Sequence, residues 1–260
     1  MYYPKQIPYL LDPEFKKYID YREHRFKELD DYFMCIWEMK SKDIFDKTIS
    51  NNVLPDACID IVIDFANQGI CFAGFSDETM NLLLNESIDS MGVRMKPGTF
   101  YSIFGIPADK AMDFIIPFEN IEHDYDLSPI LSLTSSEERI TYFKNYLLKK
   151  IANKPNRDFI NIVDNLYQSP QDQKVKDLAD NFNCNQKQLF RMFKKHYGIS
   201  PKVLLNIMRL HLCLTLLLEN KMELMDISLQ CGFYDQAHFI KEIKRYTGIS
   251  PLKLLEKYQI

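Results

Sequence analysis

The sequence contains the same four residues, Gly-Ile-Ser-Pro, twice, starting at Gly198 and again at Gly248. At both places a basic, amphipathic run precedes the glycine and an apolar run follows the proline. Glycine often ends a helix because it adopts the left-handed conformation without steric cost, and proline favours the first turn of a helix. A motif that stops one helix and starts another, written twice, therefore predicts a duplicated helical unit.

The residues that precede the two motifs also match when the motifs are aligned. The segment "DLADNFNCNQKQLFRMFKKHYGISP" from Asp177 aligns with "DISLQCGFYDQAHFIKEIKRYTGISP" from Asp226, and the second copy has one extra residue near Gly232. Leu189 then falls opposite Phe239. Each copy predicts two helices joined by a tight turn, which is the order of a helix-turn-helix.

Capping residues and hydrophobic spacing place the two units at about residues 174–198 and 223–248. The second helix of each unit follows a residue suited to cap it, Asn185 in the first copy and Asp235 in the second. The leucine-rich run between the units predicts one long helix that holds them at a fixed separation. Together these segments predict an all-α domain over residues 157–260.

Charge is divided unevenly along the chain. Residues 171–260 contain 14 Lys and Arg against 9 Asp and Glu, a net charge of +5, and the preceding residues carry −9. A basic segment joined to an acidic one is typical of a protein that meets a polyanion at one end. Two helices about 34 Å apart can enter successive major grooves on one face of a DNA duplex. The alternative is a helical bundle with no nucleic-acid partner.

The C-terminal part resembles the AraC/XylS family of bacterial transcription regulators. The resemblance covers about residues 157–260 and depends on the two aligned segments together with "MRL" at Met208 to Leu210. It implies two helix-turn-helix units that bind promoter DNA, and in most members activation of transcription through contact with RNA polymerase. Two positions depart from the family pattern, because Ile243 replaces the usual Phe and Lys241 a common Arg.

The resemblance assigns DNA contacts to the outer faces of the two recognition helices. Base contacts fall on Gln186, Lys187, Gln188 and Arg191 in the first helix and on Gln236, Ala237, Ile240 and Lys241 in the second. Phosphate contacts fall on Lys194, Lys195, His238, Lys244 and Arg245. Arginine and lysine suit guanine and glutamine suits adenine, whereas alanine and isoleucine have no base-reading groups. The first unit is therefore expected to carry more of the sequence specificity.

Residues 1–153 predict an α+β domain, mostly antiparallel β with flanking helices. Short runs rich in β-branched and aromatic residues continue to about Ile121, among them the run from Met91 through Pro107. In "CIDIVIDF" apolar and polar residues alternate, as in a strand with one buried face. An amphipathic helix follows from Ser135, and its apolar stripe either packs against the sheet or forms a dimer.

Two N-terminal stretches, "LPDACIDIVIDF" and "GVRMKPGTFYSIFGIP", resemble a small domain of AraC-like regulators of unassigned function. The family plan implies that this domain senses an effector or forms a dimer. Arg94 and Lys96 are candidates to anchor an anionic effector, with a charged strand edge as the alternative. Trp37, Phe100 and Tyr101 are candidates to line an apolar pocket, with an ordinary β core as the alternative.

Catalysis and metal binding are not expected. The six cysteines form no C-x-x-C pair, and no nucleophile elbow, phosphate-binding glycine loop or zinc-protease motif is present. Asp56, Cys58, Asp60 and Asp64, with His123 and Asp124 as further candidates, are residue types that hold metals, but strand alternation gives no sign of closure and favours the alternative of a solvated acidic face. Cys58 as an alkyl-transfer nucleophile lacks the companion cysteines that such chemistry uses. No cofactor is predicted.

The sequence thus predicts a cytoplasmic, sequence-specific transcription regulator, expected to be an activator. Its expected partners are promoter DNA, RNA polymerase if it is an activator, and either a small-molecule effector or a second copy of the chain. The N-terminus does not have the pattern of a signal peptide, and no apolar run was expected to reach the length of a membrane span. An alternative is a DNA-binding protein whose N-terminal domain docks another protein.

Overall fold

A computed structural model describes residues 1–10, 12–43, 47–84 and 87–258. Two short helices, α1 (Ile7–Leu10) and α2 (Pro13–Tyr18), precede a β-rich unit. Its strands are β1 (Ile19–His24), β2 (Phe33–Ser41), β3 (Ile49–Val53), β4 (Asp60–Asp64), β5 (Gly69–Ala73), β6 (Met80–Leu84), β7 (Asp89–Met95) and β8 (Ile115–Pro117). Helices α3 (Thr99–Phe104) and α4 (Ser136–Ile151) complete the N-terminal part, with 3₁₀ turns at Ala108–Lys110, Phe118–Asn120 and Ser128–Ser132.

The strands form two antiparallel sheets. The larger has the order β1-β2-β7-β4-β5-β8, and β3 pairs with β6 in a second, two-stranded sheet. In β4 the residues Ile61 and Ile63 are buried, whereas Asp60, Val62 and Asp64 alternate with them on the opposite face. The alternation predicted for this strand is therefore confirmed.

One expectation for this region was wrong. The run from Met91 does not continue as a strand through Phe104, because β7 ends at Met95 and α3 begins at Thr99. Gly98, at φ +93, turns the chain between them. A left-handed residue after a proline breaks an extended run, which hydrophobic content alone does not reveal.

Helix α4 packs against its own domain. Phe143, Tyr146 and Leu147 on its apolar stripe are buried. The Tyr146 hydroxyl donates to the Glu122 carboxylate at 2.9 Å, and the ammonium of Lys150 lies 2.7 Å from the same carboxylate. The sheet-packing alternative for this stripe is thus the one observed in the chain.

The remainder of the chain is helical, as predicted. After α5 (Asp158–Gln168) come α6 (Val175–Asn181), α7 (Gln186–Tyr197), α8 (Pro201–Glu219), α9 (Leu224–Gln230), α10 (Gln236–Thr247) and α11 (Pro251–Tyr258). Pairs α6–α7 and α9–α10 are the two helix-turn-helix units. Gly198 and Gly248 end α7 and α10 at φ +76 and +77, and prolines begin the next helix in both copies.

Helix α8 connects the two units and is buried along most of its length, from Leu204 to Leu217. Its length and composition would be compatible with a membrane span, contrary to the expectation that no run approaches that length. More than half of the helix is buried inside the protein, as in the core helix of a helical domain.

The N-terminal and C-terminal parts share one continuous hydrophobic core, which reaches from Phe33 on β2 to Met208 on α8. Polar contacts also join them. The backbone N–H of Lys5 donates to Nδ1 of the buried His211 at 3.0 Å, and Nε2 of this histidine bonds the Pro55 carbonyl at 2.7 Å. The N-terminal arm is therefore fastened to the linking helix.

Candidate DNA-binding interface and effector cavity

The first recognition helix, α7, exposes the residues that were predicted to meet DNA. Its inner face is made by Leu189, Phe193 and Tyr197, which are buried. The residues exposed on the opposite side include Lys187, Gln188 and Arg191, and Gln186 is exposed in the first turn of the helix. All four predicted base-contacting residues of this unit are therefore exposed, and three of them share one face.

In the free protein the Gln188 side chain also caps the start of α7. Asn185 accepts from the Gln188 backbone N–H at 2.9 Å, and the Gln188 side-chain oxygen accepts from the Asn185 N–H at 2.9 Å, which forms a reciprocal capping box. A bidentate contact with adenine needs both the oxygen and the nitrogen of a glutamine amide. Gln188 can make that contact only after it releases the cap, so Arg191 and Lys187 are the better placed base readers.

The C-terminal end of α7 faces the N-terminal domain. The Lys194 ammonium donates to the Gly198 carbonyl at 3.1 Å, and the Lys195 ammonium lies 4.6 Å from the centre of the Tyr101 ring. His196 stacks on Phe159, with ring centroids 3.4 Å apart. Burial lowers the pKa of His196 to about 4, with a smaller contribution from the neighbouring Lys195 charge. Both lysines thus have partners within the protein in addition to their predicted role at phosphates.

The second recognition helix, α10, is also capped and amphipathic. Asp235 accepts from the His238 N–H at 2.7 Å, and Phe239, Ile243 and Tyr246 form the buried side. Of the predicted DNA-contacting residues, Ala237, His238, Lys241, Lys244 and Arg245 are exposed, whereas Gln236 and Ile240 are half-buried. This face is basic but has fewer base-reading groups than α7.

One exposed residue at the second unit was missed by the sequence reasoning. Tyr234 lies immediately before the cap residue Asp235 and is 93% exposed. It belongs to the turn that contains the extra residue of the second copy, where Gly232 adopts φ +77. A large aromatic ring at the start of a recognition helix is suited to contact the backbone of a duplex. The insertion in the alignment was the signal that could have drawn attention to it.

The N-terminal domain contains a cavity of about 340 Å³ between the larger sheet and the β3–β6 pair. Trp37 on β2, Asp60 on β4 and Arg94 on β7 line one side of it. Apolar side chains of the β3–β6 pair line the other side, namely Val53, Met80, Leu82 and Leu84. A mostly apolar cavity with a few convergent polar groups is typical of a small-molecule site.

The polar groups of the cavity are centred on Arg94. Its guanidinium lies 3.4 Å from the Asp60 carboxylate and 3.8 Å from that of Asp56, and both partners are buried or nearly so. The indole N–H of Trp37 donates to Asp60 at 2.8 Å. Burial raises the pKa of Asp60 to about 6, although the charge of Arg94 opposes this shift.

The structure divides the five residues that were predicted to bind an effector. Trp37 and Arg94 line the cavity. Lys96 is buried elsewhere, with its ammonium 3.5 Å from the Asp164 carboxylate of α5. Phe100 packs on Phe72 in the core, and Tyr101 lies against His196. Both aromatic residues are on α3, which the sequence reasoning took for a continuing strand, and they are displaced from the cavity for that reason.

The predicted acidic residues lie at the cavity, and the expected solvated acidic face was wrong for Asp56 and Asp60, because Arg94 draws their side chains into the interior. Asp56, Cys58, Asp60 and Asp64 all line it. Within the part of the chain that the structure describes, no group of three or more His, Cys, Asp and Glu side chains has an arrangement suited to a metal ion. Burial raises the pKa of the Cys58 thiol well above its usual range, so the thiolate form is disfavoured.

Comparisons with known proteins match the two parts of the chain separately. Residues 178–257 match a family described as a helix-turn-helix domain, and residues 26–117 match a domain of unknown function, DUF6597. An uncharacterized HTH-type transcriptional regulator from Haemophilus influenzae is 32% identical over 87 residues, which are 33% of this chain and 29% of that protein. The lactose operon transcription activator of Staphylococcus xylosus is 31% identical over 86 residues, which are 33% and 31% of the two chains.

The C-terminal domain is an AraC-type helix-turn-helix domain. The matches span about a third of the length of the curated relatives named above. ToxT from Vibrio cholerae aligns over 94% of this chain and 100% of its own at 15% identity, and its TM-score of 0.42 is too low to establish a common overall fold. The Haemophilus influenzae and Staphylococcus xylosus relatives are transcription regulators by name.

A loop of the N-terminal domain contacts both units of the AraC-type domain. Residues 74–79, between β5 and β6, contribute Phe75 and Glu78 to the cavity lining. The Phe75 ring lies so close to Gly198 that a Cβ built there would be 2.5 Å from it. At the other end of the loop, the Thr79 hydroxyl donates to the Tyr246 carbonyl at 2.7 Å. The loop therefore touches the C-terminal ends of both recognition helices.

Proposed function

We propose that this chain is a sequence-specific DNA-binding transcription regulator that acts as an activator in the bacterial cytoplasm. The observation that carries the proposal is the pair of capped recognition helices, α7 and α10, on one buried linking helix. Each exposes basic residues on the side opposite its buried face. A monomer of this design presents two helices to one duplex, as simpler repressors do by forming dimers.

The proposed contacts divide into two classes. Arg191 and Lys187 on α7 read guanine edges, since arginine and lysine pair with the O6 and N7 acceptors of that base. Lys244 and Arg245 on α10 neutralise phosphates, which gives affinity without reading sequence. The first unit then supplies most of the sequence specificity, and the second supplies most of the sequence-independent affinity.

The experiment is a selection from random duplex DNA by the full-length protein at fixed salt. The expected product contains two motifs whose centres lie about 10 base pairs apart, because the helices enter successive turns of one groove. Truncation to residues 157–260 tests whether the AraC-type domain alone selects the same site. Enrichment of no sequence by either protein, with only salt-sensitive binding, would contradict the proposal.

We further propose that occupancy of the cavity controls DNA binding through the loop 74–79. The support is that this loop lines the cavity and contacts both recognition helices, through Phe75 at Gly198 and Thr79 at Tyr246. A ligand shifts the equilibrium between two arrangements only if it binds them with different affinity. Movement of one loop would change the position of both helices at once.

A second candidate role for the N-terminal domain is the docking of a partner protein, such as RNA polymerase or a second copy of the chain. The observation that favours it is the edge strand β8, where Ile115 is 76% exposed beside Phe114 at 62%. Exposed apolar residues on a sheet edge are suited to pairing with another chain. Phe114→Lys, beside this edge and outside the cavity lining, would abolish such pairing and leave binding of isolated DNA unchanged, which gel filtration and a DNA-binding assay would distinguish.

A further inference from the structure

The charges around the cavity define what it can bind. We infer that the effector cavity takes a small, mainly apolar molecule that carries a positively charged amine. This inference rests on the proposed effector control of the regulator, and it differs from the sequence-based expectation of an anionic effector anchored by Arg94 and Lys96.

Acidic groups outnumber basic ones in the lining. Asp56, Asp60, Asp64 and Glu78 are present with Arg94 as the basic residue among the cavity-lining positions of the described chain. Lys96, the other cation expected there, is turned to Asp164 instead. The formal charge of the lining is therefore negative, and this field attracts cations and repels anions.

Arg94 is already neutralised by its neighbours. Its guanidinium is shared between Asp56 and Asp60, and the side chains of the trio have exposed fractions of only 8% to 14%. An anionic ligand would have to displace one of these carboxylates and leave it buried without a partner, which is strongly unfavourable. Two carboxylates share one guanidinium, so one negative charge is not balanced. A cationic ligand instead supplies the second positive charge.

Asp60 is the group best placed to meet an ammonium. Among the described residues, Trp37 and Arg94 donate hydrogen bonds to it, and both bonds end on Oδ2. The second oxygen, Oδ1, is left to accept from a ligand. The Trp37 ring adds to this preference, because the face of an indole attracts cations.

The rest of the cavity suits an alkyl or aryl body. Met39, Val53, Met80 and Leu82 line it. The ring of Trp37 occupies the space over Gly92, where any larger residue would collide with it. A volume of about 340 Å³ is at the lower end of the range for small-molecule sites, so the ligand is compact.

The chain provides its own probe for the experiment, since Trp37 is the single tryptophan among 260 residues and lines the cavity. Full-length protein is titrated with octylammonium, octanol and octanoate, which share one chain length and differ in charge. We expect octylammonium to change the tryptophan fluorescence at concentrations about tenfold or more below those of the other two compounds, because a desolvated cation gains from both the indole face and the carboxylate.

Variants test whether the Asp60 carboxylate causes the preference for octylammonium. Asp60→Asn keeps the shape and is expected to reduce octylammonium affinity to that of octanol. Asp20→Asn is the matched control, because it removes one negative charge from a surface pair with Arg22 on β1 and leaves the preference unchanged. If Asp60→Asn does not fold, Glu78→Gln at the exposed rim replaces it, with an expected loss of about two- to threefold at low salt.

Equal affinity for the three compounds, tighter binding of octanoate, or no binding of any of them would overturn the inference. DNA binding is measured on the same samples by fluorescence anisotropy with the selected duplex. A protein that binds its duplex and none of the amphiphiles refutes the cavity chemistry and leaves the regulator function in place. A protein that binds octylammonium with the expected preference and selects no duplex refutes the proposed function instead.

Discussion

The duplicated Gly-Ile-Ser-Pro motif provides a matched pair of substitutions, Gly198→Ala and Gly248→Ala. Both glycines end a recognition helix at nearly the same conformation, φ +76 and +77. They differ in their surroundings, because a Cβ at residue 248 has no atom within 4 Å, whereas one at residue 198 would meet the N-terminal domain. The pair therefore separates the cost of backbone strain from the cost of the interface.

The magnitudes follow from these distances. Alanine in the left-handed conformation costs about 1–2 kcal/mol relative to glycine, and both variants bear this cost. In Gly198→Ala the new Cβ would lie 2.5 Å from Cζ of Phe75 and 3.0 Å from the Ala108 carbonyl oxygen. Overpacking of this kind costs about 1–3 kcal/mol. Since 1 kcal/mol lowers the melting temperature of a chain this size by about 2–4 °C, Gly198→Ala should melt at least that much below Gly248→Ala.

The assay is thermal unfolding of the two full-length variants and the parent, followed by far-ultraviolet circular dichroism in one buffer. In the double variant Gly198→Ala with Phe75→Ala the collision is absent. The two substitutions together should therefore cost less stability than the sum of each alone. Equal melting temperatures for Gly198→Ala and Gly248→Ala would refute the reasoning, because they would mean that α7 does not press against the N-terminal domain.

Three further predictions concern DNA binding, pH and coupling. Arg191→Ala should relax specificity at one base pair at a cost of about 1–3 kcal/mol, whereas Lys195→Ala should weaken all sequences alike and reduce the salt dependence; uniform loss in both would contradict the division of roles. The pKa of His211 is lowered to about 4 by burial, so its contribution to stability is full above pH 6.5 and lost as pH falls toward 4. Urea unfolding at pH 7 and pH 4.5 should therefore show an acid loss of up to about 3 kcal/mol that His211→Gln does not share, and equal losses would exclude this histidine as the cause. Thr79→Val removes the bond to the Tyr246 carbonyl and should change the DNA affinity of full-length protein, as measured by anisotropy, and an unchanged affinity would contradict coupling through this loop.

Local signals explain why the helical half could be predicted from sequence. Asn185 and Gly198 begin and end α7 through bonds to residues three or four positions away, so that both ends are encoded nearby. The second copy repeats the signals at Asp235 and Gly248. The positions of the outward residues of each recognition helix follow from the same periodicity.

Contacts between distant residues could not be predicted in this way. The approach of Phe75 to Gly198 and the pairing of Lys96 with Asp164 depend on how the two halves of the chain pack, and no periodic pattern records that. Tyr101 was misplaced because its segment is rich in aromatic residues, which strands and core helices share. An apolar pocket in the N-terminal domain was predicted from the sequence. Its excess of carboxylates could not be predicted, because it depends on β2, β4 and β7 lying side by side.

The burial of α8 has a consequence for the DNA as well as for the protein. This helix has 19 residues and is about 28 Å long at the usual rise. Because it packs against both units, it holds them at a fixed separation. If its span does not match the repeat of straight B-form DNA, the duplex must bend to bring both grooves into reach. Base steps that kink easily, such as pyrimidine followed by purine, would then be favoured between the motifs. A stiff protein core would in this way create sequence preference at base pairs that no side chain touches.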